Sequence, residues 1–64
     1  MENCIKEYRK NKGLTQDDLA KAMDVTRQTI ISIENGKYTA SLQLAFRLAR
    51  YFDVSIEELF VFNE

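Results

Sequence analysis

Four hydroxyl residues, Thr15, Thr26, Ser41 and Ser55, each stand just before a fresh run of residues with apolar positions spaced by three and four. That arrangement constrains the fold more than any other feature of the chain. A Ser or Thr side chain accepts a hydrogen bond from one of the free N–H groups at a helix start, and a spacing of three and four is the period of a helix with one buried face. There is no proline, and the only glycines are Gly13 and Gly36, so these two punctuate helices rather than strands. The chain therefore reads as all-α.

Five helices follow. In "NCIKEYRKNKG" the apolar Cys4, Ile5 and Tyr8 share one face, and a run of lysines before Gly13 suits a helix C-terminus, which predicts helix one over residues 3–12. Thr15 and Asp18 have the spacing of a capping box for helix two, whose stripe is Leu19, Ala20 and Met23. "DVT" then breaks the pattern. Asp24 adopts a left-handed turn at lower cost than most residues, and Thr26 caps helix three, Arg27 to Glu34, which ends at Asn35-Gly36. Ser41 opens helix four over "LQLAFRLARYF", with Leu42, Ala45, Leu48, Ala49 and Phe52 as its apolar face, and Ser55 caps the short "IEELF". The tail "VFNE" reads as either extended or frayed, and no internal repeat is evident.

Size and composition exclude much else. Sixty-four residues make one domain, spanning 1–64, and a domain this small buries only about 60% of the surface its unfolded chain exposes. A single cysteine, Cys4, and no histidine exclude an intramolecular disulfide and a Cys/His zinc site, so association with a second chain is the remaining staple. Cys4 itself suits a buried helix position better than a redox sensor, since no charge-stabilising partner is placed beside it. No apolar run approaches the roughly 20 residues that span a bilayer, and the N-terminus lacks a signal-peptide core, so the cytoplasm is the expected compartment. No nucleophile–base motif or phosphate-cradling glycine loop is present, and neither an enzyme nor a cofactor is expected. Net charge is −1, with +1 on residues 1–37 and −2 on residues 38–64, so any anion-binding face must come from local arrangement.

Helix three carries two adjacent isoleucines, Ile30 and Ile31, which point about 100° apart. With Ile30 and Ile33 turned inward, Ile31 falls on a polar face with Arg27, Gln28 and Ser32. Arg bonds two acceptors on guanine, Gln bonds two positions on adenine, and an aliphatic surface packs on a thymine methyl. The same face also fits a solvated helix, or a protein interface centred on Ile31. What favours DNA is the pairing: helix two, a three-residue break and helix three have helix-turn-helix spacing, with the small Ala20 allowing a close crossing and Val25 plugging the turn.

The segments "GLTQDDLAKAM", "VTRQTIISIENGK" and "SLQLAFRLARYFDVSIEELF" resemble the Cro/cI-type helix-turn-helix family of phage and bacterial repressors, the XRE family, in its short stand-alone form. The resemblance implies a five-helix, lambda-repressor-like domain that binds double-stranded DNA. It places Arg27, Gln28 and Ser32 at base-reading positions with Ile31 between them. It puts Gln16 at a phosphate contact, where a helix N-terminus offers amides and a favourable dipole, and sets Asn35, Lys37 and Tyr38 against the phosphate backbone. Arg9 and Glu34 match a family ion pair that ties helix one to the end of helix three. Two departures stand out: Asp24 takes a turn position usually held by glycine, and "YTAS" replaces the frequent "YNPS", removing a proline that would restrict the loop.

The expected function is a sequence-specific transcriptional regulator, a homodimeric repressor at an inverted-repeat operator with half-site centres roughly 34 Å apart. It would be prokaryotic, and nucleoid-associated when bound. Leu59 and Phe60 are expected to finish part of the monomer core, and the candidate dimer surface is the tail, Phe60, Val61 and Phe62, with the alternative that Phe62 folds back on helix four. The rival function is a protein-partner module on the same fold, such as an antitoxin.

Overall fold

The computed structural model describes residues 1–61. Its helices are α1 (Ile5–Asn11), α2 (Gln16–Met23), α3 (Arg27–Glu34), α4 (Leu42–Phe52) and α5 (Ile56–Leu59). Among the described residues the only β pairing is a single antiparallel bridge between Asn3 and Phe60.

The hydroxyl caps do what their positions predict. Thr15 accepts from the Asp18 N–H while Asp18 accepts from the Thr15 N–H, closing a capping box, and Ser55 and Glu58 do the same for α5. Thr26 accepts from the Thr29 N–H and Ser41 from the Leu44 N–H. The helix ends share a second device. At Gly13, Asp24, Gly36 and Asp53 the chain turns left-handed, and in each case the next residue's N–H returns to a carbonyl five residues back: Leu14 to Arg9, Val25 to Ala20, Lys37 to Ser32, Val54 to Ala49. This is the Schellman closure, which satisfies carbonyls that the ending helix leaves free.

Helix one is shorter than the sequence predicts. It starts at Ile5, and the segment before it is extended: Cys4 N–H donates to Leu59 O, and Val61 N–H donates to Glu2 O. Asn3 substitutes for a helical cap, its Oδ1 accepting from the Ile5 N–H. The start of the tail is extended as well, with Phe60 at φ −115° and ψ 135°.

The core joins all five helices through Ile5, Leu19, Ala20, Met23, Ile30, Ile33, Leu48 and Leu59, with Phe52 and Phe60 at its border. Val25 packs against it from the turn, and Tyr8 stacks on Phe52 with ring centroids 5.8 Å apart. On α4 the expected face needs correcting. Leu44 is buried and Leu42 is 71% exposed. At 100° per residue Leu42 and Leu44 lie at opposite edges of the stripe formed by Ala45, Leu48, Ala49 and Phe52, so period alone does not choose between them; the packing of the other helices against α4 covers Leu44 and leaves Leu42 exposed with Phe46. Cys4, expected within a buried helix face, is half-buried at the start of α1.

Candidate nucleic-acid interface

Two helices and a tight turn set up the candidate face. The left-handed Asp24 ends α2, Val25 packs against the core from the turn, and Thr26 caps α3. Ile30 and Ile33, each 1% exposed, then anchor α3 from its inner side. The opposite side is left for other use: Arg27 and Gln28 are exposed, Ile31 and Ser32 half-buried. Gln28 Nε2 donates to Ser32 Oγ at 3.3 Å, a pairing of residues four apart that keeps both side chains on the same stripe.

The residues expected along the phosphate backbone divide into two groups. Asn35, Lys37 and Tyr38 are exposed and follow directly from α3, held by the backbone bonds from Lys37 and Tyr38 N–H to Ser32 O. Gln16 is half-buried at the first position of α2, and its Nε2 donates to Glu34 Oε1 at 3.1 Å. An open cleft between the first turns of α2 and α3 brings Thr15, Gln16, Asp17 and Arg27 together.

Arg9 and Glu34 form the expected ion pair. Arg9 Nε lies 2.7 Å from Glu34 Oε2 and Nη2 donates to Oε1 at 3.2 Å, while Nη1 donates to Leu14 O at 2.8 Å. The side chains are 9% and 3% exposed, so the pair is an interior one. On α2, the Asp18 carboxyl is held below the usual carboxylate range, first by the Thr15 backbone N–H and then by the Thr15 hydroxyl.

The tail residues divide. Phe60, expected both to help finish the core and to border the dimer surface, is 8% exposed and closes the monomer core, its extended backbone paired with Asn3. Val61 is 38% exposed, and Phe62 lies outside the described residues. Sequence reasoning missed Asn3, whose Nδ2 donates to Ile33 O at 2.8 Å and so ties the N-terminal segment to the end of α3. It also missed the second left-handed aspartate, Asp53, although "DVT" and "DVS" are the same turn written twice.

A helix-turn-helix pair with one side anchored and a polar side free defines the class of DNA-binding helical domains. A family model described as helix-turn-helix matches residues 5–59, and the chain belongs to that family. Its members are DNA-binding transcription regulators and not enzymes. An uncharacterized HTH-type transcriptional regulator of Methanocaldococcus jannaschii is 53% identical over 64 residues, covering 100% of this chain and 97% of the relative. A second such regulator, from Bacillus subtilis, is 39% identical over 100% of this chain and 97% of its own length. Among solved structures, the restriction-modification controller protein C.AhdI from Aeromonas hydrophila superposes with a TM-score of 0.77 at 34% identity, over 88% of this chain and 85% of that one.

Proposed function

We propose that this chain is a homodimeric repressor, a single domain over residues 1–64, that reads an inverted-repeat operator by inserting α3 into the major groove. Arg27, Gln28, Ile31 and Ser32 face base edges; Gln16, Asn35, Lys37 and Tyr38 lie along the phosphates. The observation that carries this reading is the division of labour on α3. Its inner isoleucines are fully buried, while its outer face is occupied by side chains able to make bidentate and apolar base contacts.

One eight-residue helix contacts few base pairs, and joining two half-sites raises affinity without new kinds of contact. A second copy needs an apolar surface away from α3. The side of α4 turned from the core supplies Leu42 and Phe46, 71% and 50% exposed, beside a groove lined by Ala45, Ile56 and Phe60. Exposed aromatic and aliphatic surface of this kind is characteristic of an interface core. Bound across two half-sites, the dimer represses by occupying DNA that polymerase needs.

The test is affinity measured on the best duplex selected from a random pool and on the unselected pool. Arg27→Ala is expected to cost about 1–3 kcal/mol on the selected duplex and to relax preference at one base pair, with little change on the pool. Equal losses on both would remove Arg27 from the base-reading face.

A further inference from the structure

The Glu34 carboxylate accepts three hydrogen bonds from two residues, Arg9 on α1 and Gln16 on α2. Oε2 takes Arg9 Nε; Oε1 takes both Arg9 Nη2, at 3.2 Å, and Gln16 Nε2, at 3.1 Å. Arg9 is fixed in turn by its bond to Leu14 O. The far end of the Gln16 side chain is therefore tied to a buried group that cannot itself wander. An untethered glutamine loses considerable rotamer freedom when a ligand orders it, and a side chain already held loses less.

What remains of the amide matters. A glutamine Nε2 carries two N–H groups, and the bond to Glu34 uses one of them. Gln16 lines the cleft between the first turns of α2 and α3 together with Arg27, at the edge of the polar face of α3. An anion beside that face comes within reach of the second N–H. Glu34 alone would repel such an anion; paired with the Arg9 guanidinium it adds no net charge.

We infer that Glu34 is a positioning residue for DNA binding: through Oε1 it holds the Gln16 amide in place before DNA arrives, so that the second Gln16 N–H meets a backbone phosphate beside the groove that α3 enters. This rests on the reading of α3 as the recognition helix. The Arg9–Glu34 pair thus has two tasks. It joins α1 to α3, and it fixes a contact on α2 that neither partner makes itself.

The experiment is a double-mutant cycle on the selected duplex, read by fluorescence anisotropy. Gln16→Ala is made in the native protein and in the doubly replaced Arg9→Met, Glu34→Met background, with folding followed by circular dichroism. In the native protein the substitution is expected to weaken binding on the order of tenfold. The salt slope should stay unchanged, because a neutral amide displaces no counterion. In the doubly replaced background the same substitution is expected to cost less than about twofold, since its anchor is already gone. Equal losses in both backgrounds, or no loss in the native protein, would overturn the positioning role while leaving DNA reading intact. Failure of the native protein to prefer any sequence would overturn both. Should the doubly replaced chain not fold, side-chain amide relaxation in the native protein decides. The Gln16 order parameter is expected near the backbone value of about 0.85, and a value below about 0.6, like that expected of the exposed Gln43, would refute the tether.

Discussion

Replacing Arg9 by methionine leaves the Glu34 carboxylate in an interior site with the Gln16 amide as its remaining partner. Three hydrogen bonds disappear with the guanidinium, two to Glu34 and one to Leu14 O. Because the side chains of the pair are only 9% and 3% exposed, water screens little of the loss. Breaking one side of a buried pair costs about 3–5 kcal/mol, most of it the penalty of an uncompensated charge. A chain of this length has a total stability of roughly 3–10 kcal/mol, so Arg9→Met should bring the protein near its unfolding threshold. At about 4–8 °C per kcal/mol for a domain this small, the melting temperature should fall by at least about 12 °C. Adding Glu34→Met removes the stranded charge. The doubly replaced protein should then recover to within about 1 kcal/mol of the native one, since the freed Leu14 carbonyl and Gln16 amide are half-buried and can turn to water. Urea unfolding followed by far-UV circular dichroism measures all three proteins. A single substitution costing less than about 1 kcal/mol, or a double one costing as much as the single, would refute the argument.

Three further outcomes are expected. Lys37→Ala should weaken binding to all duplexes alike and reduce the slope of log affinity against log salt by about one; a loss confined to the selected duplex would make Lys37 a base reader. Asp18→Asn should lower thermal stability at neutral pH. The Asp18 carboxyl titrates below its ordinary value of 3.8, so its contribution is complete above that value and is lost as pH falls through the lowered one. The native and Asp18→Asn proteins should accordingly converge in strong acid, and a gap that persists there would assign the effect to something other than the capping carboxylate. Leu42→Asp places a charge on the most exposed apolar residue of α4 and should halve the sedimentation mass with helicity retained; an unchanged mass would move the dimer surface elsewhere.

Local signals carried most of the fold. Ser and Thr caps act on N–H groups within three residues, so Thr15, Thr26, Ser41 and Ser55 could each be read in isolation. The inward pair on α3, Ile30 and Ile33, followed from period alone. Failures occurred where a decision belonged to distant parts of the chain. Whether Leu42 or Leu44 faces the core depends on where α2 and α5 meet α4, since both lie near the edge of the apolar stripe. Asn3 and Cys4 read as the start of helix one because the partner that holds this segment extended, Leu59 to Val61, lies at the other end of the sequence. That Phe60 helps finish the core is legible from its place after the apolar Leu59, but the bridge to Asn3 that holds it there is not. The Gln16–Glu34 bond spans eighteen residues and leaves no periodic trace. Asp53 is a different kind of miss, since "DVS" repeats "DVT" and the left-handed turn at Asp24 was sufficient to predict it.

The central claim is that two copies of α3 read DNA together, and selection of bound duplexes from a random pool at near-physiological salt tests it most directly. The account predicts an inverted repeat whose half-site centres lie about one helical turn, roughly 34 Å, apart. Recovery of duplexes with no shared sequence, bound only weakly and losing affinity steeply with salt, would contradict it and point to a protein partner as the target of the polar face.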